Sequence, residues 1–297
     1  MLDLKQRVID FLEKDDYATC EYKGCFDIAA KKESLLILKV MLNIDGFSAE
    51  QAKNLKIISS NLDAYPFLLG VQTNREKLRK GIVYERFETP TVSLETFEDL
   101  IVNSIFPVIY RDRGGMYVQI DSAILREVRK KKSISQRELA ESAGINKKVI
   151  YEHEKKQLRM LLEIAQKLEG ILDHKIITPI DVFKKFDEHG SPQDEMENVV
   201  KKRLETLGFE TNFVKQAPVD VFAKEKTLFL SDIEMNKRKI TKHAAKLKDF
   251  VNLVKKPAII ITDESKNDEV SGIQVIERKD LRDMGKKELM KKARESI

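Results

Sequence analysis

The stretch SQRELAESAGINKKVIYEHE, residues 135–154, has the pattern of two short helices joined by a tight turn. Ser135 can accept a hydrogen bond at the start of the first helix, and Glu138 three positions later completes a capping box. Gly144 suits the turn, because glycine adopts a positive φ at little cost. Asn146 can cap the second helix. The pattern therefore predicts a helix-turn-helix motif.

The second of these helices would present polar side chains on its outer face. The residues that we expect to reach base edges are Asn146, Lys147, Lys148 and Tyr151. In a helix that lies in the major groove, Lys can donate to guanine, Asn can pair with adenine, and Tyr can contact the backbone or a thymine methyl. The residues that we expect at phosphates are Gln136, Arg137, Arg126, Arg129 and Lys132, the last within a run of three lysines. We therefore expect double-stranded DNA as the partner.

The positive charge of the chain is concentrated around this motif. Residues 122–160 hold eleven Lys and Arg and five Glu, a net charge of +6, whereas the whole chain carries +5. Basic runs are often only solvated surfaces, but a local excess of this kind is what phosphate binding requires. The rest of the chain is close to neutral.

Helices and short apolar strands alternate on both sides of the motif. FDIAA before it and VDVFA after it each carry an Asp in an apolar strand, and a Pro opens a later strand 39 residues beyond Asp27 and 37 beyond Asp220. This predicts a degenerate internal duplication, although two unrelated α/β domains could share the pattern. The predicted segments are an α/β domain (1–105), a connector (106–121), the helix-turn-helix domain (122–186) and a second α/β domain (187–297).

The order of elements in the first copy resembles the restriction-endonuclease-like fold. That chemistry needs an Asp and a Glu to hold a divalent metal, and a Lys two residues beyond the Glu to activate water. Asp27 and Lys39 are in place, but Ile37 stands at the acid position, and an aliphatic side chain cannot ligate a hard cation. Glu13 or Glu21 could supply the missing ligand.

The second copy departs further from this pattern. Asp220 remains, but Leu230 and Asp232 stand where the Glu and the Lys would be. We therefore expect two degraded sites, with no metal, no cofactor and no catalysis. The two copies would serve in dimerisation, in gripping DNA or in sensing.

Cysteine usage and hydropathy indicate a cytoplasmic protein. Cys20 and Cys25 have no histidine nearby that could complete a zinc site. We interpret them as reduced thiols, with a disulfide across a hairpin as the alternative. No run approaches the roughly 18 apolar residues of a membrane span, and the first residues do not form a signal peptide.

LREVRKKKSISQRELAESAGINKKVIYEHE, residues 125–154, resembles the lambda-repressor/Cro (XRE-type) family. An Arg-rich first helix is followed by SQ, LA, Gly and a terminal Glu154 at the family's positions. His153 and Lys156 depart from the family pattern, and the proline that usually opens the next helix is missing. The resemblance implies a central five-helix DNA-binding domain between the two restriction-endonuclease-like domains, in a chain of mixed α/β and all-α class.

The whole chain is also similar to a group of archaeal helix-turn-helix transcriptional regulators. CFDIAA, LLILKV, NID, LREVRKK, IYEHE and PIDVF follow one another in the order found in that group. The resemblance implies a regulator and leaves any effector ligand open. Because two-fold dimers of helix-turn-helix motifs place their recognition helices about 34 Å apart, we expect a homodimer on a palindromic operator. One alternative is a structure-selective nuclease, or a Holliday-junction-type binding protein. Another is an interaction protein for partner docking or nucleoid packaging.

Overall fold

The computed structural model describes residues 4–112, 114–234, 237–265 and 267–297, with the side chains of residues 237 and 238 left out. The first part of the chain alternates helices and strands, as the sequence predicts. Its elements are α1 (Leu4–Lys14), β1 (Ala18–Glu21), β2 (Ile28–Lys31), β3 (Leu35–Asn43), a 3-10 turn (Ile44–Gly46), α2 (Ala49–Leu62) and β4 (Tyr65–Gln72).

The middle part contains the helix-turn-helix stretch and a set of short strands. Its elements are β5 (Ile82–Arg86), β6 (Thr89–Val92), α3 (Leu94–Val102), β7 (Ile109–Asp112), β8 (Gly115–Ile120), α4 (Ser122–Lys131), α5 (Gln136–Ala143), α6 (Lys147–Lys155), β9 (Arg159–Leu161), α7 (Leu162–Leu172) and β10 (Ile177–Thr178).

The last part returns to the layout of the first. Its elements are α8 (Glu195–Thr206), β11 (Glu210–Phe213), β12 (Val221–Lys224), β13 (Leu228–Ile233), α9 (Lys237–Val254), β14 (Ala258–Thr262), β15 (Glu269–Val270), β16 (Ile273–Glu277), α10 (Arg278–Asp283) and α11 (Lys286–Arg294).

The chain forms two compact units. The first unit contains Met1–Leu68 and Phe183–Ile297, and the second contains Leu69–Val182. The first unit holds β1, β2 and β3 in that order, and a six-stranded sheet in the order β11-β12-β13-β14-β16-β15. The domain boundaries stated from the sequence stay a prediction.

The two α/β layers of the first unit share one strand register. β2 pairs antiparallel with β3, with Ile28 opposite Leu38. β12 pairs with β13 in the same way, with Val221 opposite Ser231, and both residues lie 193 positions beyond their counterparts. A slip of one residue would turn every side chain to the other face of the sheet. The shared register therefore agrees with an internal duplication.

The two layers contact each other through the turns between their first and second strands. The backbone N–H of Cys25 donates to the carbonyl oxygen of Gln216 at 2.7 Å. The hydroxyl of Tyr22 donates to the carbonyl oxygen of Ala217, also at 2.7 Å. A Cβ atom on Gly24 would lie 1.9 Å from the Gln216 oxygen. Only glycine allows this approach, and equivalent turns meet as in a symmetric dimer.

The two cysteines are buried and form no disulfide with each other. Burial raises the pKa of Cys20 to about 11 and that of Cys25 to about 12, so both thiols stay protonated at neutral pH. Within the described ranges, the helices are all too short or too polar to span a lipid bilayer.

The second unit packs α4, α5, α6 and α7 around one apolar core. Its buried members are Val118, Ile120, Leu125, Leu139, Ala140, Ala143, Ile150, Met160, Ala165, Leu168, Leu172 and Ile176. The first two lie on β8, so the helices are packed onto a sheet. The strand order there is β6-β5-β7-β8-β10, and β9 also pairs with β8.

The expectation of a purely five-helix central domain was wrong. Residues 122–186, all of which the structure describes, contain four helices together with β9 and β10. The chain leaves helical geometry at Lys156, where φ is −134° and ψ is 143°. Met160 then pairs with Val118 on β8 and is 2% exposed. Burial of this side chain against the sheet favours a short strand where the family has a loop between helices.

Candidate nucleic-acid interface

The helix-turn-helix stretch has the helix caps and the turn that the sequence predicts. The Ser135 hydroxyl accepts from the backbone N–H of Glu138 at 3.1 Å, and the Glu138 carboxylate accepts from the backbone N–H of Ser135 at 2.6 Å. Gly144 ends α5 with φ of 70° and ψ of 35°. The side chain of Asn146 accepts from the backbone N–H of Lys148 at 2.8 Å. Both helices are therefore capped by local hydrogen bonds, and Gly144 forms the turn between them.

The start of α6 presents cationic side chains to solvent. Lys147 and Lys148 are exposed, and Tyr151 is 40% exposed one turn later. The Lys155 ammonium donates to the Tyr151 hydroxyl and lies 4.2 Å from the centroid of its ring. Asn146 is exposed too, but its side-chain oxygen already caps the helix. These four predicted site residues share one end of one helix.

A buried ion pair holds α6 against α4. Arg129, 8% exposed, donates from Nε to one oxygen of Glu154 at 2.5 Å and from Nη2 to the other at 3.0 Å. Its Nη1 donates to the carbonyl oxygen of Ile134 at 2.8 Å. Gln136 on α5 donates to Glu154 at 2.7 Å. Side chains from α4 and α5 therefore both bind the carboxylate of Glu154 on α6.

The expectation that Arg129 contacts a phosphate is not supported by this geometry. Arg129 follows Leu125 by one turn of α4, on the face that packs into the core, and its guanidinium is used inside. Gln136 is half-buried and bound to the same carboxylate, so it acts first as a positioning residue. The ion pair was missed because its members lie 25 residues apart; the spacing of Arg129 from Leu125 was the available clue.

The other predicted phosphate contacts lie at the surface. Arg126 and Lys132 are exposed. Arg137 is exposed and pairs with the exposed Glu141 at 2.8 Å. Exposed pairs of this kind contribute little to stability, so the guanidinium can exchange its partner at little cost.

The environment of Glu154 keeps it ionised. Burial raises its pKa, but the hydrogen bonds from Arg129 and Gln136 outweigh burial and hold the pKa below its usual value. Arg126 acts in the same direction through its charge. The ion pair is therefore intact at neutral pH.

The nuclease-like residues of the first copy do not fit a metal. Lys39 donates to Asp27 at 3.2 Å and to the carbonyl oxygen of Gly24 at 2.8 Å. The second oxygen of Asp27 accepts from the backbone N–H of Val40 at 2.9 Å. Ile37, at the acid position, is fully buried. Both carboxylate oxygens are therefore engaged, and no second carboxylate stands beside them on β3.

The two glutamates that could have replaced the missing ligand form other contacts. Glu13 accepts a hydrogen bond from the hydroxyl of Thr19 at 2.8 Å. Glu21 pairs with Lys5 at 2.7 Å. Neither contact brings a carboxylate to Asp27, so the structure gives no support to this substitution of ligands.

The second copy repeats the backbone contact but not the chemistry. Asp220 accepts from the backbone N–H of Ile233 at 2.8 Å, the same 13-residue spacing as in the first copy. Burial and the neighbouring Asp232 raise the pKa of Asp220 well above its usual value. Asp232 lies 3.3 Å from the ring of His243. In the described part of the chain, no group of three or more His, Cys, Asp or Glu residues is arranged to hold a metal ion.

Comparison with known proteins places these features in a family. Residues 2–107 match the PD-(D/E)XK superfamily domain. A Methanocaldococcus jannaschii protein named "Putative HTH-type transcriptional regulatory protein" is 33% identical over 275 residues, covering 88% of this chain and 86% of that protein. A Methanothermobacter thermautotrophicus protein of the same name is 34% identical over 269 residues, covering 88% and 85%. The chain belongs to this family of archaeal HTH-type regulatory proteins.

Proposed function

We propose that this chain is a sequence-specific DNA-binding transcriptional regulator of the lambda-repressor/Cro (XRE) type, with α6 as its recognition helix. The observation that carries the proposal is the exposed start of α6, where Lys147, Lys148 and Tyr151 stand beside Asn146. Residues at the N-terminal end of a recognition helix are the ones that reach base edges in the major groove. The name shared by the relatives supports DNA-binding regulation.

The side chains at this end of α6 suit base recognition to different degrees. Lys147 and Lys148 can each donate to guanine, and their ammonium groups are exposed. Asn146 keeps its amide N–H groups for a base, although its oxygen is shared with the helix cap. Tyr151, held by Lys155, offers a ring edge to a thymine methyl or to the backbone. We therefore assign most of the discrimination between sequences to the two lysines.

Phosphate contacts would come from the exposed cations around the motif. Arg126, Lys132 and Arg137 are the residues that we assign to this role. Such contacts position the protein without reading sequence. The buried Arg129–Glu154 pair would keep α6 at a fixed angle while these contacts form.

A dimer would suit this mode of binding. Two-fold dimers of helix-turn-helix proteins place their recognition helices about 34 Å apart, so we expect a palindromic operator and a homodimer. The α/β layers of the first unit, which we propose to be two nuclease-like folds without metal ligands, would then serve as dimerisation or DNA-gripping surfaces. We expect the protein to act in the cytoplasm.

Selection of bound sequences from a random duplex pool tests the proposal. We expect one enriched, palindromic motif. The double variant Lys147→Ala, Lys148→Ala should bind it at least about 30-fold more weakly in gel-shift titrations, since each base contact contributes about 1–3 kcal/mol. The matched control Lys77→Ala, Lys167→Ala removes two exposed lysines of the same unit and should bind within about 3-fold of wild type.

The competing functions give different results in the same experiment. A nucleoid-packaging protein would enrich no motif, and its affinity would depend almost wholly on salt. Unchanged operator affinity in the double lysine variant would reject α6 as the recognition helix. The PD-(D/E)XK match favours a nuclease as the second candidate function, and cleavage of the pool in the presence of Mg²⁺ would support it.

A further inference from the structure

We propose that α11 carries a second contact surface for the phosphate backbone of duplex DNA, formed by Lys287, Lys291 and Arg294. We call these three residues the α11 basic stripe. The stripe belongs to the first unit, whereas the helix-turn-helix belongs to the second. The inference rests on the proposed function only in taking duplex DNA as the polyanion.

The three residues lie on one exposed face of the helix. They are spaced four and three positions apart, which places them in one row on a helix surface. All three are exposed, whereas Leu289 and Ala293 on the opposite face are fully buried. The stripe borders an open depression of about 620 Å³, lined by Lys286, Lys287, Met290, Lys291, Arg294 and Glu295.

The helix that carries the stripe is firmly anchored. Ser296, fully buried just beyond α11, accepts from the backbone N–H of Ala258 at 2.8 Å and donates to the carbonyl oxygen of Ala293 at 2.7 Å. At the other end, Lys286 pairs with Glu225 at 3.0 Å. The exposed cations are therefore presented on a fixed element rather than on a frayed terminus.

The helix that carries the stripe has an excess of positive charge. Among the residues that the structure describes, none is seen in an ion pair with Lys287, Lys291 or Arg294. The helix sequence KKELMKKAR contains five basic residues and one acidic residue. An isolated surface cation needs no explanation, but three in a row on one helix face produce a concentrated field.

Helix stability does not explain this arrangement. Cations near a helix C-terminus are favoured by the helix dipole, which accounts for Lys291 and Arg294. Lys287, however, lies in the first turn, where the dipole is repulsive to a cation. Lys287 and Lys291 are also like charges at the i, i+4 spacing, which is destabilising. A bound polyanion would relieve both costs, and this observation points to a ligand.

The length of the stripe matches a short stretch of DNA backbone. The seven residue steps from Lys287 to Arg294 span about 10.5 Å at 1.5 Å per step. Successive phosphates of one strand advance about 3.4 Å along the duplex axis, so the stripe covers about three of them. The row of three cations therefore fits one strand of a duplex.

The salt dependence of DNA binding by the full-length chain tests the stripe. The variant Lys287→Gln, Lys291→Gln, Arg294→Gln is titrated against a random-sequence duplex at several KCl concentrations, with circular dichroism to check folding. Each neutralised phosphate contributes about −0.9 to the slope of log K against log salt, so we expect the slope to become shallower by about 2–3. The control Lys53→Gln, Lys202→Gln, Lys242→Gln removes three exposed lysines of the same unit and should keep the wild-type slope.

The outcomes separate this inference from the proposed function. A selected operator together with an unchanged slope in the stripe variant would overturn the stripe and leave the regulator intact. A shallower slope without any enriched sequence would support the stripe and reject sequence-specific regulation. A wild-type chain that binds no duplex would overturn both. Equal loss of slope in the lysine control would show a diffuse charge effect and reject the stripe.

Discussion

Arg129 and Glu154 form a buried, two-pronged ion pair, in which Nε and Nη2 of the arginine each donate to a separate carboxylate oxygen. The two side chains are only 10% and 4% exposed. Arg129 lies on α4 and Glu154 near the end of α6, so the pair links the proposed recognition helix to the helix that packs across it. The orientation of α6 relative to α4 thus depends on a buried contact within the protein.

Removal of one partner should loosen α6. Arg129→Ala leaves the Glu154 carboxylate buried without its cation, and breaking a buried pair in this way costs about 3–5 kcal/mol. We expect the amide hydrogens of α6 to exchange faster in Arg129→Ala than in wild type. Arg137→Ala removes the exposed pair with Glu141 and should leave both the stability and the exchange rates of α6 close to those of wild type. Equal exchange rates in the two variants would contradict the structural role of Arg129.

Acid should weaken the same contact. The pKa of Glu154 is held below its usual value, so its contribution to stability is complete above the unfolded-state pKa of about 4.3 and is lost as the pH falls through the folded-state value. We expect the melting temperature of wild type to fall more steeply below about pH 4.5 than that of Glu154→Gln, which has no proton to take up there. Parallel curves would show that the Glu154 carboxylate does not contribute.

The local parts of the motif could be predicted from the sequence. The capping box of Ser135 and Glu138, the turn at Gly144 and the cap at Asn146 depend on residues within a few positions of one another. The positions of Asp27 and Lys39 in the nuclease-like pattern followed from the strands, and Ile37 stood at the acid position, but the direct contact of Lys39 with Asp27 was not predicted. Short-range patterns were therefore sufficient for the motif and for the absence of a metal-binding acid on β3.

The features that the sequence did not reveal depend on distant contacts. Within the basic run of α4, only the i, i+4 spacing from Leu125 separates the buried Arg129 from the exposed Arg126, and the partner that holds it, Glu154, lies on another helix. β9 forms only because β8 lies beside it, and residues 159–161 have no strand pattern of their own. The α11 basic stripe is different, since KKELMKKAR is a dense local run; it was hidden in the sequence because acidic residues elsewhere bring the charge outside residues 122–160 close to zero.

The turn between α5 and α6 should require a residue that adopts a positive φ without strain. Gly144 has a φ of +70°, and a Cβ atom there would meet nothing within 4 Å. Gly144→Ala should therefore destabilise the protein by about 1 kcal/mol through backbone strain alone. Gly170, inside α7, also has open space around it but an ordinary φ, so Gly170→Ala should stabilise by about 0.5–1 kcal/mol. Opposite shifts in urea denaturation would confirm the pair, and shifts of the same sign would contradict it.

Divalent cations should neither stabilise the protein nor activate it. Both oxygens of Asp27 are engaged by Lys39 and Val40, and the buried Ile37 offers no ligand. A bound cation whose free concentration is 100 times its dissociation constant would stabilise the fold by about 2.7 kcal/mol. Thermal unfolding resolves a change of this size. We expect the same melting temperature in about 10 mM MgCl₂ as in KCl of equal ionic strength, and no cleavage of duplex or four-way-junction DNA.

Asp27→Ala serves as the matched variant: it removes the carboxylate around which a metal site would have to form. Because it also leaves the nearly buried Lys39 without its partner, we expect a lower melting temperature but the same indifference to Mg²⁺. Cleavage that requires Mg²⁺ and disappears in Asp27→Ala would instead establish a nuclease, since no other role of this carboxylate depends on a metal.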